Sequence, residues 1–211
     1  MPELIQGIDP DEVRRRLEGV REEAGDGVRI LVATKYVPDD EMAALAEAGV
    51  DLVGENRLSD LERKHERFGE LFEWHFIGAL QSRKVKGVLP LVSLIHSVAS
   101  ESALEQLNRR AGDDTRILIQ VNVAAEEGKE GIAPDGLGVF IASSEVEVAG
   151  LATMPPFAEN PEESRAHFAR LAELASEHGL RELSMGTSQD WRVAVDEGAT
   201  IIRLGSALLR A

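Results

Sequence analysis

"VRILVATKYVPDDEMAALAEAG", residues 28–49, reads as a buried strand that runs straight into a helix. The apolar run from Ile30 to Ala33 suits a strand covered on both faces, as in a parallel sheet. A proline and an acidic turn follow at once, and the helical segment stops at Gly49. The strand ends on Lys35, where desolvating an ammonium group costs free energy. Either Lys35 snorkels into solvent, or the strand end is a place that needs an amine.

The same strand-then-helix unit recurs down the chain. A leading helix over 9–24 opens on Asp9 and Pro10 and carries Val13, Leu17 and Val20 at helical spacing. After the first strand come seven more strand-like runs: 50–56, 73–79, 93–100, 115–123, 146–154, 180–186 and 199–205. Helical stretches at 58–71, 83–92, 101–112, 137–144, 161–179 and 190–198 separate them. Parallel neighbours need a crossover, so strict alternation points to a parallel sheet. Eight units in 211 residues predict an α/β chain, a single (β/α)8 TIM barrel with an extra N-terminal helix, as one domain over 1–211. An open doubly wound sheet would normally carry a glycine-rich turn after its first strand, and "VATKYVP" has none.

Composition narrows the function classes. Lys and Arg number 23 against 38 Asp and Glu, a net charge of −15, so neither a nucleic-acid backbone nor an anionic membrane is an expected partner. Cysteine is absent, which excludes disulfides and thiolate chemistry. Five histidines without an H-x-H spacing argue against a metal site. The first residues show no long apolar segment, so the expected location is the cytoplasm.

A barrel places its chemistry at the carboxyl ends of its strands. The side chains found there are Lys35, Glu55, Asn56, His75, His96, Asn122, Met154, the run Ser184–Ser188 and Arg203. Alternation puts Leu31, Ala33 and Lys35 on one strand face, and Ile201 and Arg203 on one face of the last strand. In a closed barrel those strands are neighbours. Two cations converging on one small space are unfavourable, and an anionic ligand between them resolves the conflict. The last two loops, "SMGTSQD" and "RLGSA", each pair a glycine with hydroxyls, namely Gly186 with Thr187 and Ser188, and Gly205 with Ser206. Loops at these positions often hold phosphate. The simpler reading is that Thr187–Asp190 is a capping box and Gly205 a tight turn; Asp190 disfavours a close phosphate unless it points toward its own helix. The cluster Arg83, Lys84, Lys86 reads as a solvated face.

In order along the chain, "VATKYVP" (32–38), "GEN" (54–56), "WHFIGALQSRKVK" (74–86), "HSVAS" (96–100), "VNVAAEEGKEGI" (121–132), "GLATMPP" (150–156), "LSMGTSQDW" (183–191) and "ATIIRLGSALL" (199–209) resemble the motifs of the pyridoxal phosphate homeostasis protein family. The fold of that family is similar to the N-terminal barrel of alanine racemase. The resemblance implies that pyridoxal 5′-phosphate (PLP) is held as a Schiff base on Lys35, its phosphate by Ser188, Gly205 and Ser206, and its ring nitrogen by Arg203. Asn56, His75, Met154 and Ser184 complete the implied cofactor-binding set. Arg only donates, so a ring nitrogen facing it carries no proton and the ring is a weak electron sink. The implied function is storage or delivery of PLP in vitamin B6 homeostasis with little or no catalysis, by a monomer in transient contact with PLP-dependent apoenzymes. The alternatives are a PLP-dependent amino-acid racemase of low activity and a lyase that uses Lys35 on a phosphorylated substrate. Racemases on this barrel use a tyrosine as second base, and Tyr36, next to Lys35, is expected to face the opposite way, toward the helices. Arg83 and Ala99 depart from the family pattern, where Asn and Asp are usual, as does the ending "LGSALLRA".

Overall fold

Eight short apolar segments pair side by side in chain order and close on themselves. The computed structural model describes residues 4–210. The strands are β1 (Arg29–Ala33), β2 (Leu52–Glu55), β3 (Glu73–Phe76), β4 (Leu94–Val98), β5 (Arg116–Gln120), β6 (Glu147–Ala152), β7 (Glu182–Thr187) and β8 (Ile201–Leu204), all parallel. β1 pairs with β8 in the register Leu31↔Arg203, which shuts the barrel.

Side chains alternate along each strand and sort into two cores. Leu31, Leu52, Leu94, Leu118, Ala152 and Ile201 fill the barrel interior. Their sequence neighbours, such as Ile30, Val53, Ile95 and Ile202, join a larger outer core. The helices that cover this outer core are α1 (Pro10–Ala24), α2 (Met42–Glu47), α3 (Leu58–Phe68), α4 (Val85–Val88), α5 (Glu101–Arg110), α6 (Leu137–Ala142), α7 (Arg165–Glu177), α8 (Trp191–Asp196) and α9 (Ser206–Leu209).

The leading helix forms as its sequence predicts. Asp9 accepts from the amides of Asp11 and Glu12, and Pro10 fills the first turn, where no intrahelical acceptor is needed. Val13 and Leu17 are buried, and Arg16 Nη1 donates to the carbonyls of Leu208 and Arg210 at 3.0 and 2.7 Å. The extra helix therefore ties the start of the barrel to α9.

Strand ends differ from the sequence expectation where backbone bonds turn aside. β1 stops at Ala33 rather than Lys35: the Thr34 amide makes the last bond to β2, at Gly54 O (3.0 Å), and the Val37 amide then returns to Thr34 O (2.9 Å), making a turn. β5 stops at Gln120, and the chain bends through Asn122, whose side chain bonds both the amide and the carbonyl of Glu126. Among the described residues, no helix is long and apolar enough to cross a membrane.

Candidate functional site

An open cavity of about 1080 Å³ lies over the carboxyl ends of the strands. Lys35 and Arg203 both line it, as does Ala33 one strand position below the Lys35 turn. Register explains the convergence: Leu31, paired with Arg203, and Ile201 point inward, so Arg203 does too.

The turn that carries Lys35 is clamped from behind. Thr34 is buried; its hydroxyl donates to Glu55 Oε1 (2.8 Å) and its carbonyl accepts from Lys64 Nζ (2.7 Å). Lys64 also pairs with Glu55, and both side chains are fully enclosed. With Thr34 fixed outward, Lys35 projects into the mouth. It is exposed, and its Nζ lies 5.0 Å from the centroid of the Tyr36 ring.

Tyr36 meets the sequence expectation only in part. It lines the cavity and also packs on the outer core. The strand has already ended at Ala33, so strict alternation no longer governs which way residue 36 faces.

Arg203 is buried and held by three acceptors. Nη1 donates to Ser184 O (2.7 Å) and Ser184 Oγ (2.6 Å), and Nη2 to Thr153 O (2.8 Å). Burial pulls its pKa down to about 10, which leaves it charged at neutral pH. A guanidinium held by carbonyls and a hydroxyl keeps an unbalanced positive charge beside the cavity.

The last two loops meet across the rim. Ser188 Oγ accepts from the amides of Gly205 (3.3 Å) and Ala207 (3.2 Å), so its hydroxyl proton remains available to a ligand. Ser188, Gly205 and the exposed Ser206 all line the cavity. Gly186, at φ +88°, lets β7 turn there; a Cβ would lie 2.6 Å from Ala194 Cβ. Asp190 also lines the cavity, but its carboxylate is taken up by the chain itself, accepting from Thr187 N (2.7 Å), Thr187 Oγ1 (3.0 Å) and Ser164 Oγ (3.0 Å). Its bond to the Thr187 amide is half of the capping box the sequence suggested.

The remaining candidates divide by depth. Asn56 and Met154 line the cavity; Asn56 Oδ1 is buried without a hydrogen-bond partner among the described residues, and Met154 is largely exposed. His75 and Ser184 lie below the cavity, outside its lining, as does His96. Arg83, Lys84 and Lys86 sit away from it on the segment leading into α4. Lys129, which sequence reading did not single out, joins the rim and pairs with Glu126.

A family described as "Alanine racemase, N-terminal domain" matches residues 8–211. A pyridoxal phosphate homeostasis protein of Aquifex aeolicus is 38% identical, with 93% of each chain covered. The chain belongs to the pyridoxal phosphate homeostasis protein family. Its counterpart from Pseudomonas aeruginosa is 35% identical over 87% of this chain and 84% of the other. PipY of Synechococcus elongatus, a structure solved with PLP bound, is 31% identical over 93% of this chain and 99% of its own, with a TM-score of 0.82. Alanine racemase from Corynebacterium glutamicum shares the fold at 18% identity and TM-score 0.73, over 95% of this chain and 60% of the racemase.

Proposed function

We propose that this protein binds PLP at the carboxyl end of its barrel, tethered to Lys35 as a Schiff base, and serves vitamin B6 homeostasis with little or no catalysis of its own. The observation that carries the reading is that an exposed amine, a buried guanidinium and a hydroxyl-bearing loop pair line one cavity. Membership of the family supports it, and so does the PLP-bound PipY structure.

The donor set fits the cofactor. Lys35 supplies the amine that adds to an aldehyde carbon with loss of one water. Ser188 donates its hydroxyl proton to the phosphate, and Gly205 and Ser206 offer backbone approach and a second hydroxyl. Asn56 Oδ1, orphaned among the described residues, gains a donor when the cavity is filled. Met154 forms part of the wall at the rim. PLP contributes a carbonyl for the amine and a ring whose electron demand depends on protonation at its nitrogen. Arg203 can only donate to that nitrogen, so it keeps the proton off and damps carbanion chemistry. His75 and Ser184 act on the cofactor through Arg203 rather than by lining the cavity. We further place the protein in the cytoplasm as a monomer that passes PLP to apoenzymes on transient contact.

Titration with PLP tests this. Purified protein should develop the visible band of a lysine Schiff base that borohydride removes; protein that stays colourless in excess PLP would sink the reading.

A second reading, a racemase of low activity, draws on one observation: Tyr36, the sequence's single tyrosine, lines the cavity beside Lys35. Rapid exchange of the alanine α-proton, lost in both Lys35→Ala and Tyr36→Phe, would favour it over the carrier.

A further inference from the structure

Beneath the cavity, a row of polar side chains crosses the barrel interior. Arg203 Nη1 donates to Ser184 Oγ (2.6 Å), and Ser184 Oγ lies 2.8 Å from His96 Nδ1. His96 Nε2 lies 2.8 Å from His75 Nδ1, and His75 Nε2 lies 2.9 Å from Glu73 Oε1. Ser184, His96 and His75 are at most 3% exposed. Glu73 opens β3 at the opposite end of the barrel, half-exposed, where its carboxylate also takes Ser93 Oγ (2.7 Å) and pairs with Arg29. Four links therefore join the amino-terminal end of the barrel to the cation beside the cavity.

The two ends fix the direction of the whole row. Arg203 only donates, so Ser184 Oγ accepts there. The Glu73 carboxyl is pulled down to about 2, foremost by its bond with His75, so it is ionised and only accepts. Burial pushes both imidazoles below their usual range, which keeps them neutral, each with one donor and one acceptor nitrogen. One arrangement then satisfies every link. Ser184 donates to His96 Nδ1, His96 Nε2–H donates to His75 Nδ1, and His75 Nε2–H donates to Glu73. Each donor points from the guanidinium toward the carboxylate, so the bond dipoles align with the field between the two charges. The row ends on a guanidinium that holds its proton, so it orients groups rather than conducting protons.

We propose that His96 and His75, anchored by Glu73, are positioning residues for Arg203. By dictating which way the Ser184 hydroxyl points, they leave its lone pairs to Arg203 and lock the guanidinium's orientation toward the cofactor ring. The effect on PLP rests on the cofactor reading above; the direction of the row does not.

Nitrogen-15 NMR of histidine side chains in the apoprotein at neutral pH, combined with PLP titration of His96 variants, tests the proposal. His75 and His96 should both be neutral with the proton on Nε2; a proton on Nδ1 of either ring overturns it. His96→Leu removes both links and should weaken PLP binding about tenfold and shift the visible band, a change of ~1.4 kcal/mol. His96→Asn, whose side chain can present an acceptor near the Nδ1 position, should recover most of both. His96→Leu that melts as a folded protein and binds PLP with the wild-type band overturns the proposal; if His96→Leu does not fold, the NMR tautomers and His96→Asn decide. Wild-type protein that takes up no PLP sinks the cofactor reading alone, because the tautomers are measured without it.

Discussion

Lys64 Nζ donates to the carbonyl oxygen of Thr34 at 2.7 Å, gripping the backbone one residue before Lys35. The same ammonium pairs with Glu55, whose Oε1 also accepts the Thr34 hydroxyl at 2.8 Å, while Oε2 is buried with no partner among the described residues. Replacing one member strands the other charge away from water. Lys64→Met should therefore destabilise the fold by ~3–5 kcal/mol. Adding Glu55→Gln to Lys64→Met should restore part of that loss. Denaturant unfolding checks both, and a Lys64→Met variant as stable as wild type would show that the clamp carries no weight.

Gly186→Ala places a Cβ at φ +88°, 2.6 Å from Ala194 Cβ and 3.0 Å from Trp191 Cα. Backbone strain of this kind costs ~1–3 kcal/mol, and the α8 backbone cannot move aside without disturbing the loop that carries Ser188. A lower melting temperature together with weaker PLP binding is expected; unchanged melting would mean the turn has another conformation.

Ser188→Ala removes the hydroxyl that accepts from Gly205 and Ala207 and the proton assigned to phosphate. Loss of a hydrogen bond to a charged group is worth ~1.5–3 kcal/mol, so PLP affinity should fall at least tenfold. Pyridoxal without phosphate should bind Ser188→Ala and wild type alike. Equal losses for both ligands would place the phosphate elsewhere.

Legibility in the sequence followed the range of the interactions. The barrel was readable because each strand and helix announces itself through local apolar periodicity, and parity put Arg203 on the face of Ile201, which barrel closure turns inward; the register against Leu31 came from the structure. Parity gave only half of Tyr36, which packs on the outer core but also lines the cavity; it lies three residues after the strand end, in the turn closed by the Val37–Thr34 backbone bond. Lys64 was missed because a lysine on α3 reads as surface; its signal is its place three residues after buried Leu61, on the apolar stripe. His75 and His96 stood out as lone histidines at strand ends, but their link to Glu73 and Ser184 spans three strands and leaves no local pattern.

Acid should loosen the barrel through those histidines. His75, faced by Glu73, Arg29 and Glu182, and His96, faced by His75, Arg203 and Arg29, are both pushed below 6.5, chiefly by burial. Below pH 6.5 the unfolded chain binds more protons than the folded one, so stability falls as pH drops toward the folded-state values. Glu73 contributes separately and lower, between 4.5 and about 2. Unfolding free energy measured from pH 7.5 to 5.0 should decline, with a shallower slope in His96→Asn; a flat profile would mean the imidazoles are not held neutral by burial.

In the proposed function Lys35 tethers PLP. Borohydride reduction of the PLP-loaded protein, followed by peptide mass spectrometry, reads it directly. One pyridoxyl phosphate adduct is expected, on the peptide carrying Lys35, and none in Lys35→Ala. An adduct found on Lys129 or another lysine, or one that persists unchanged in Lys35→Ala, would contradict it.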